Sequence, residues 1–572
     1  MKLTISKSKN AEQLYISKSI RVNKNKTTTK TFMKLGTMAE LLPKYNNDRD
    51  AVIAWAKEEA KRYTKLEKEN KLDMTFTFGH DEVPEMDKTQ LFNVGYLFLK
   101  KIYHQLGIDD ICKNISSKHK IDYDLSNILA NLIYTRVIYP SSKLSSFEAA
   151  NTFIEPPKFE LHQIYRALSL LSEHSDEIQA EIYKNSTNVI DRNNNILYYD
   201  CTNFFFEIEE EKGIRRYGKS KEHRPNPIVQ FGLFMDGNGF PLAFTTFPGN
   251  KNEQPSLRPL EEKILKDFNK AKFVVCTDAG LASTSNRKFN NEDGRSFIVT
   301  QSLKTIQKHL REWALDPKGW EIAGSDKTYD LNEVDYDKHF NTVFHKERWI
   351  NENGIEQRFV VSYCEKYKDY QRSIRNGQIE RAIKVIEGGK KVTRNQNSAA
   401  RFIDTTPVTS QGEVAEKVTL GLNEDKISEE EQYDGFYGVC TTLEDDVKDI
   451  LKVNKQRWQI EAAFRVMKTE FKSRPVYLQR DERIESHFLT CFLALLITFI
   501  LKHKTETKES LEALIDTLKN MQLLKVKDMG YINTYKRTEL TDELNKTFDD
   551  ILKNSAINES KLKKVLKASE KQ

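Results

Sequence analysis

Cysteine is scarce in this chain and is not arranged for metal or disulfide chemistry. The six cysteines are scattered over 572 residues, with no Cys-x-x-Cys pair and no histidine at zinc-site spacing beside them. This pattern argues against a structural zinc site and against a disulfide framework. We therefore expect reduced cysteines in a cytoplasmic protein.

Long hydrophobic runs are also missing. The longest one, residues 488–501, contains Thr490 and Thr498 and is too short to span a bilayer, so we expect a buried helix there and no membrane partner. The N-terminal segment is rich in lysine and has no apolar core. It therefore gives no sign of a signal peptide.

Charge of one sign does not dominate the composition. Lys and Arg number 90 against 84 Asp and Glu, and the net charge of +6 permits a nucleic acid partner without requiring one. The basic residues are concentrated, however, in residues 1–30 (eight, with one acid) and 212–224 (six, with one acid). Each run is either a solvated face or a surface for phosphate. The length alone predicts three or four domains.

The first 190 residues divide into a β region and a helical region. Residues 1–45 alternate β-favouring residues with Lys and Thr, which predicts a small sheet, and 49–71 predict a charged helix before a linker at 74–90. Apolar residues then recur at helical spacing over 91–190. Six basic residues there would form a DNA-binding face, although a purely structural bundle fits equally well. They are Lys113, Lys118, Lys120, Arg136, Lys143 and Lys158.

The centre of the chain predicts two buried strands that each carry an aspartate. Residues 196–206 form a nearly continuous apolar run interrupted by Asp200, and a second such run ends at Asp278. Between them, Asp236-Gly237-Asn238-Gly239 predicts a hairpin, in which Asp236 is most simply a turn residue.

The order of elements over residues 196–300, β-β-β-α-β-α-β, matches the ribonuclease-H-like topology, in which the first strand lies beside the fourth. Asp200 and Asp278 would then converge at one place. Two buried carboxylates repel each other unless a cation accompanies them. Two Mg²⁺ ions, for which Mn²⁺ would substitute, resolve this repulsion and suit phosphoryl transfer.

Residues 457–468 predict a helix that presents a third carboxylate. Arg457, Glu461 and Lys468 share the rim of its apolar stripe within roughly 40°. An ion-paired amphipathic helix is the simplest interpretation. The functional interpretation makes Glu461 a third metal ligand, and we interpret Trp458 as core rather than as a platform for a base. The stripe consists of Ile460, Phe464, Met467 and Phe471.

Residues 300–440 are too many for a simple connection and too patterned for disorder. We expect a β-containing insertion with strands near 358–363 and 418–420 and a basic helix near 370–387. The elements expected after it are a strand at 436–441 returning to the main sheet, one helix over 443–472, a buried helix over 486–503 with a satisfied His487, and Lys-rich helices over 507–569.

Together the three acidic segments resemble the DDE transposases of bacterial insertion sequences, over roughly residues 90–505. The closer resemblance is to the group that has a β-rich insertion before the glutamate and a Tyr-x2-Arg-x3-Glu-x6-Lys signature, matched by Arg457, Glu461 and Lys468. Asn454 stands where that group carries its tyrosine.

Four shorter motifs support the same resemblance. They are Tyr-Tyr-Asp200-Cys-Thr, Cys-Thr-Asp278-Ala-Gly-Leu, the basic loop Gly-Lys-Ser-Lys-Glu-His-Arg at 218–224, and Phe-Pro-Gly-Asn at 247–250. The resemblance implies that Asp200, Asp278 and Glu461 are catalytic and hold the metal, and that basic side chains contact DNA phosphates. A mobile basic loop is the alternative for residues 218–224. The candidate DNA-binding residues are Arg457, Lys468, His223, Arg224, Lys219 and Lys221.

We therefore expect an α/β protein: a ribonuclease-H-like catalytic domain with a β-containing insertion, flanked by helical domains and a small N-terminal β region. The expected domains are 1–75, a small β and helix region; 90–190, a helical DNA-binding domain; 195–300 with 432–505, the catalytic domain; 301–431, the insertion; and 506–572, a Lys-rich helical region.

The activity implied by the resemblance is metal-dependent DNA end cleavage and strand transfer. The partners would be terminal inverted repeats and target double-stranded DNA, bound by a homodimer or higher oligomer associated with the nucleoid. Two alternatives share the pattern: a metal-dependent nuclease that cuts without joining, and an inactive DNA-binding relic of a transposase. The presence of all three carboxylates argues against the relic.

Overall fold

A computed structural model describes residues 1–8, 11–23, 26–68, 89–268, 272–388, 398–408, 417–526 and 530–571. The chain divides into two units, residues 1–88 with 525–532 and residues 89–524 with 533–572. The predicted linker at 74–90 lies, up to residue 88, outside the described residues.

The first unit contains the predicted N-terminal sheet. Its elements are β1 (Lys2–Lys7), β2 (Glu12–Asn23), β3 (Lys26–Thr37), α1 (Met38–Leu41) and α2 (Arg49–Lys68). The three strands pair antiparallel in chain order. Leu14 of the sheet and Val52 and Ala56 of the charged helix are fully buried in one small core. The apolar side of that helix thus helps to cover a small sheet, which would not be stable without such packing.

The second unit begins with the predicted helical region. Its elements are β4 (Leu91–Asn93), α3 (Tyr96–Gln105), α4 (Ile108–Lys118), α5 (Leu125–Ile138), α6 (Lys143–Ala150), α7 (Leu161–Glu173) and α8 (Ser175–Ser186). The predicted basic face is wrong for two members, because Arg136 and Lys143 are buried. Arg136 donates to the carbonyl oxygens of Phe471 and Ser141, both at 3.0 Å, so main-chain acceptors satisfy a guanidinium that the sequence pattern placed in solvent.

The ribonuclease-H-like topology is present. Its elements are β5 (Ile196–Phe205), β6 (Ile228–Asp236), β7 (Pro241–Pro248), α9 (Leu257–Asp267), β8 (Val274–Thr277), α10 (Thr284–Phe289) and β9 (Ser296–Gln301). Strands β5, β6 and β7 form an antiparallel meander, and β8 and β9 continue the sheet in parallel on the other side of β5. The first strand therefore lies beside the fourth, as predicted.

Asp236 is the turn residue that the hairpin pattern predicts. Its Oδ1 accepts hydrogen bonds from the backbone N–H groups of Asn238 and Phe240, both at 3.0 Å. Its Oδ2 also pairs with Arg192 Nε at 2.6 Å, and both side chains are almost fully buried. The turn is thus fixed by a buried ion pair as well as by its local hydrogen bonds.

The insertion extends the same sheet. Its elements are α11 (Lys308–Leu315), β10 (Trp320–Ile322), β11 (Thr328–Tyr329), α12 (Tyr336–His339), β12 (Phe344–Glu352), β13 (Ile355–Tyr363), α13 (Glu365–Glu387), β14 (Ile403–Val408), β15 (Lys417–Leu422), α14 (Glu424–Glu431) and β16 (Phe436–Thr441). The predicted strands and basic helix correspond to β13, β15 and α13. Strand β16 returns beside β9 as predicted, and the sheet order is β11-β10-β12-β13-β16-β9-β8-β5-β6-β7.

The predicted single helix over 443–472 is two helices, α15 (Val447–Lys455) and α16 (Trp458–Thr469), followed by α17 (Asp481–Lys504). Tyr198 of β5 holds the break, because its hydroxyl donates to the carbonyl oxygen of Val453 (3.1 Å) and to Gln456 Oε1 (3.0 Å). The turn contains neither Gly nor Pro. The sequence therefore has no local signal for the break, which a tertiary contact stabilises.

Helix α17 is the buried helix predicted from the longest apolar run. By length and composition it is apolar enough to cross a membrane, but 89% of its apolar window is buried inside the protein. Phe488 packs against Phe204 (ring centroids 4.9 Å apart) and Phe231 (5.3 Å), and Phe464 of α16 joins them 6.3 Å from Phe231. His487 is a satisfied core histidine as predicted, with Nε2 3.1 Å from the Ser473 carbonyl oxygen.

The C-terminal region is less uniformly helical than the sequence predicts. Its helices are α18 (Leu511–Asn520), α19 (Glu539–Asn545) and α20 (Glu559–Ser569), and it also contains the short strands β17 (Gln522–Val526), β18 (Gly530–Asn533) and β19 (Ala556–Ile557). Residues 522–524 of β17 pair with β4, which ties this region to the start of the second unit.

Phe464 joins α16 to the aromatic layer under β5, so we expect Phe464→Ala to cost about 3–5 kcal/mol of stability through the cavity it leaves. Phe340→Ala is the control, because Phe340 is 40% exposed and its truncation should cost about 0.5 kcal/mol. Thermal or denaturant unfolding of both variants checks this. Equal shifts in the two variants would show that the aromatic layer is not what holds α16.

Candidate active site

Two aspartates lie together on neighbouring parallel strands, Asp200 in the middle of β5 and Asp278 directly after the end of β8. Tyr198 of β5 pairs with Cys276 of β8, so Asp200 and Asp278, each two residues further along, stand at the same level of the sheet. Both side chains are partly buried. The strand adjacency predicted from the sequence is thus confirmed.

The environment of Asp200 disfavours the ionised form of its carboxyl group. Burial raises the pKa of Asp200 to about 6, and the neighbouring charge of Asp278 contributes to the rise. Lys221 and Arg457 oppose it, as does the backbone N–H of Cys201, which donates to Asp200 Oδ1 at 2.7 Å. The site therefore holds two like charges whose repulsion nearby cations only partly offset.

Asp278 has a second, purely structural task. It caps the short turn at 279–281, where its Oδ1 accepts a hydrogen bond from the backbone N–H of Leu281 at 3.1 Å. Among the described residues its other carboxylate oxygen accepts no hydrogen bond. Capping orients the carboxylate while one oxygen stays available to a ligand.

Glu461 does not join this pair. It is exposed on the first turn of α16, four residues after Arg457, and it forms no ion pair within the described ranges. An ion-paired helix is therefore not the explanation of Glu461. No group of three or more His, Cys, Asp or Glu in the described part of the chain is arranged to hold a metal ion. The structure thus brings Asp200 and Asp278 together and leaves Glu461 outside.

Arg457 is anchored by a chain of hydrogen bonds across the sheet. One of its guanidinium nitrogens donates to Thr300 Oγ1 at 3.0 Å. That hydroxyl lies 2.7 Å from the Tyr437 hydroxyl, which also accepts from Asn454 Nδ2 at 3.1 Å. The charge of Arg457 lowers the pKa of Asp200, although less than Lys221 does. Arg457 is therefore held beside the two aspartates by strands β9 and β16.

The basic loop after β5 is fastened to the strand that carries Asp200. Asn203 accepts a hydrogen bond from the backbone N–H of Lys221 (3.1 Å) and donates to the Lys219 carbonyl oxygen (3.2 Å). At the loop's start, Gly218 touches Gly249 so closely that a Cβ on Gly218 would lie 1.9 Å from the Gly249 carbonyl oxygen. Two motifs that are distant in sequence thus meet, and only glycine fits there.

Lys221 is the cation of the loop that reaches the aspartates. Its Nζ donates to the carbonyl oxygen of Cys201 and lies 3.0 Å from Glu253 Oε1. Burial lowers the pKa of Lys221, but Asp200 and Glu253 together raise it by more, so the ammonium is retained. Glu253 was not among the residues singled out from the sequence.

Lys468 lies deeper and is paired with an acid. Its Nζ lies 3.2 Å from Glu222 Oε1, and Arg474 pairs with the other oxygen of the same carboxylate. Burial, with a further contribution from Lys221, lowers the pKa of Lys468 to about 8. The charge of Asp200 opposes this shift without cancelling it.

The remaining candidate DNA-binding residues are more open to solvent. The Arg224 guanidinium lies over the Phe205 ring, 4.2 Å from its centroid. His223 is exposed, and its φ of +56° places it in the left-handed region, which His adopts more readily than most residues. Lys219 is exposed and forms no ion pair within the described ranges. These three side chains face solvent without touching the aspartates.

The interpretation of Trp458 as a core residue is wrong. Its side chain is 60% exposed at the start of α16, directly after Arg457. The apolar stripe of the same helix is buried as predicted, with Ile460 and Met467 at most 1% exposed. Helical periodicity identifies the buried side of a helix but does not decide how far neighbouring elements cover its edge.

The aspartate pair suits a hard divalent cation. Carboxylate oxygens are the ligands that Mg²⁺ and Mn²⁺ prefer, and a cation would relieve the repulsion that raises the pKa of Asp200. The donors thus fit a divalent metal, with Asp200 and Asp278 as two ligands.

A family model described as a transposase DDE domain matches residues 204–497, a range that includes Asp278 and Glu461 and begins four residues after Asp200. No curated protein matches the sequence. A cryo-EM structure of the piggyBac transposase synaptic complex with hairpin DNA aligns with a TM-score of 0.37 and 8% identity, covering 74% of this chain and 79% of that chain.

Asp200→Asn should stabilise the metal-free protein above about pH 6, because wild-type stability falls as Asp200 ionises on passing upward through its raised pKa. Divalent metal should stabilise the wild type by about 2.7 kcal/mol at 100 times its dissociation constant and should have little effect on Asp200→Asn. Thermal unfolding in chelator and in Mg²⁺ or Mn²⁺ measures both effects. The exposed Asp326→Asn is the control, and an equal response of Asp200→Asn and wild type would contradict the assignment.

Proposed function

The chain belongs to the transposase DDE-domain family, and from this premise we propose that it is the transposase of an insertion sequence. It binds the terminal inverted repeats of its element as a homodimer or higher oligomer. It cleaves DNA at the element ends and joins the freed 3′-hydroxyl to target DNA. Both steps are phosphoryl transfers at one site.

One observation carries this proposal: two aspartates, in the order and on the strands that the chemistry needs, stand level on neighbouring parallel strands. Their shared environment raises the pKa of Asp200, which is typical of residues placed for function rather than for stability. A purely structural protein would gain no stability from placing two like-charged carboxylates together in a partly buried position.

The metal ligands in this proposal are Asp200, Asp278 and Glu461, holding two Mg²⁺ ions or Mn²⁺ in their place. When bound, the metal activates the attacking oxygen and stabilises the leaving one. Asp200 and Asp278 supply negative oxygen donors from a rigid sheet. Glu461 approaches from α16, whose exposed face leaves its carboxylate free to turn toward the pair when DNA and metal are present.

The cations around the pair bind and orient the DNA backbone. Arg457, anchored on Thr300, and Lys221, anchored on Cys201, both act on the charge of Asp200 and place phosphates against the aspartates. Lys468 adds a further cation, and Lys219, His223 and Arg224 extend the DNA-binding surface along the loop. Trp458, exposed beside Arg457, offers an aromatic face to a base displaced at the cut.

We expect Asp278→Ala and Glu461→Gln to lower end cleavage and strand transfer at least about 100- to 1,000-fold, because each removes a charge that holds the metal at the reacting phosphate. The assay uses the full chain, Mg²⁺ or Mn²⁺, and DNA carrying the sequences that flank its own gene. Asp326→Ala, at an exposed position without a described partner, should leave both steps unchanged.

Each outcome of that assay selects one function. Cleavage with joining supports a transposase, and cutting without joining supports a nuclease on the same fold. If neither step occurs although a footprint shows protein on the element ends, the protein is a DNA-binding relic. Activity that survives Asp278→Ala would overturn the assignment of the site.

DNA affinity should fall as the pH rises past about 8, by about tenfold in total, since Lys468 then loses the charge that contacts phosphate. A bound phosphate favours the ammonium form, so the midpoint in the complex lies at or above that value. Lys468→Arg should move the fall to higher pH, because a guanidinium stays charged. Fluorescence anisotropy from pH 7 upward measures this; Lys219→Arg is the control. An unchanged profile in Lys468→Arg would assign the fall to another group.

A further inference from the structure

One acid lies within the most basic surface of the site. Glu222 stands in the loop 218–224, between Lys221 and His223, and its carboxylate contacts two cations at once, one in the last turn of α16 and one shortly after that helix. Oε1 lies 3.2 Å from Lys468 Nζ, and Oε2 pairs with the Arg474 guanidinium. Sequence patterns singled out neither Glu222 nor Arg474.

The surroundings of this carboxylate are those of a bound anion. The three side chains are only 15–24% exposed. Lys468 Nζ lies over the Phe204 ring (5.6 Å to its centroid) and Arg474 over the Phe205 ring (6.0 Å). A lysine and an arginine that converge on two oxygens, each cation lying over an aromatic ring of its own, suit a phosphodiester as well as a carboxylate, because both ligands present oxygen pairs to cationic side chains.

The contact is also incomplete. Glu222 Oε1 is buried but accepts no hydrogen bond from any described residue, although it lies at ion-pair distance from Lys468. An ion pair selected only to hold the loop would be expected to satisfy that oxygen, since an unsatisfied buried acceptor is costly. A carboxylate in this state is cheaper to displace than a fully bonded one.

We infer that Lys468 and Arg474 form a binding site for one DNA phosphate, and that Glu222 occupies this site until DNA enters. The inference rests on the proposed function and adds a contact and a means of control to it. The site borders the aspartates, because the charges of Asp200 and Lys221 both act on Lys468. The backbone of the loop stays fastened by Asn203, so the Glu222 side chain is the part that yields.

DNA can enter the site only if the ion pairs of Glu222 break, and the free energy of breaking them lowers the DNA affinity of the wild type. Removing its charge should therefore strengthen binding, whereas a structural ion pair would act in the opposite direction. We expect Glu222→Gln to bind duplex DNA about fivefold more tightly than wild type, which corresponds to ~1 kcal/mol. The effect should shrink at high salt, where exposed charges are screened.

The experiment measures anisotropy of a fluorescein-labelled duplex with the full-length chain in chelator, so that no cleavage occurs. Glu222→Gln is compared in two backgrounds, wild type and Lys468→Met with Arg474→Met. Glu211→Gln is the matched control: it removes the same charge from the same connection, and its nearest cation, Arg216, lies 3.9 Å away. Glu211→Gln should change the affinity less than twofold and equally in both backgrounds.

The inference requires that the gain from Glu222→Gln disappear in the Lys468→Met, Arg474→Met background. A gain that persists there would reflect net charge alone and would overturn it, as would equal or weaker binding by Glu222→Gln in the wild-type background. Thermal unfolding verifies that each variant folds. If Glu222→Gln does not fold, Glu222→Asp, whose shorter side chain reaches the cations less well, must show the same direction of change.

The result is separable from the proposed function. If wild type cleaves and joins DNA ends but Glu222→Gln gains no affinity, only the inference fails. If the wild type and Glu222→Gln both bind no duplex at all, the proposed function and the inference fail together.

Discussion

Asp200 and Asp278 carry like charges on neighbouring parallel strands, and the rest of the site is arranged around their repulsion. Burial and mutual repulsion push one carboxylate toward its protonated form, whereas Lys221 and Arg457 pull it back. Neither cation is free to move away, because each is tied to the sheet through Cys201 or Thr300. Opposing charges therefore act on Asp200, and a bound metal or phosphate would change its protonation.

Such a balance needs a scaffold that does not relax. The aspartates stand on central strands of a ten-stranded sheet, and α17 fills the layer beneath with almost entirely buried side chains. Phe488 and Phe464 link that layer to β5 on one side and to α16 on the other. Because the core is close-packed, the helix that carries Glu461 cannot shift independently of the strand that carries Asp200. The stability of the core thus offsets the strain of the site.

The parts of the site that could be predicted from the sequence are those set by local pattern. The apolar runs around Asp200 and Asp278 specify buried strands, and the order of elements, which matches the ribonuclease-H-like topology, makes those strands neighbours. The break before α16 could not be predicted, since Tyr198 from another strand holds it. The exposure of Trp458 could not be predicted either, because a helical stripe identifies the buried side of a helix but not how far neighbouring elements cover its edge.

Contacts between segments that are distant in the sequence could not be predicted from sequence patterns either. Glu222 meets Lys468 and Arg474 only because the last turn of α16 and the chain that returns after it lie beside aromatic rings of β5. Arg136 was assigned to a surface on its charge, yet carbonyl oxygens of that same returning segment bury it. In both cases the decisive contact joins residues that are hundreds of positions apart, and no spacing in the sequence pairs them.

The substitution at position 454 shows how the fold tolerates a departure from the pattern it resembles. A tyrosine is expected at that position of the helix, and this chain has Asn454, which is buried and donates to the hydroxyl of Tyr437. Tyr437 comes from β16, the strand that closes the insertion onto the sheet, and its hydroxyl joins Asn454 to Thr300 and so to Arg457. A tyrosyl hydroxyl is thus still fixed beside Arg457, but a strand supplies it. The insertion therefore supports the site through its last strand, to which Asn454 is hydrogen-bonded.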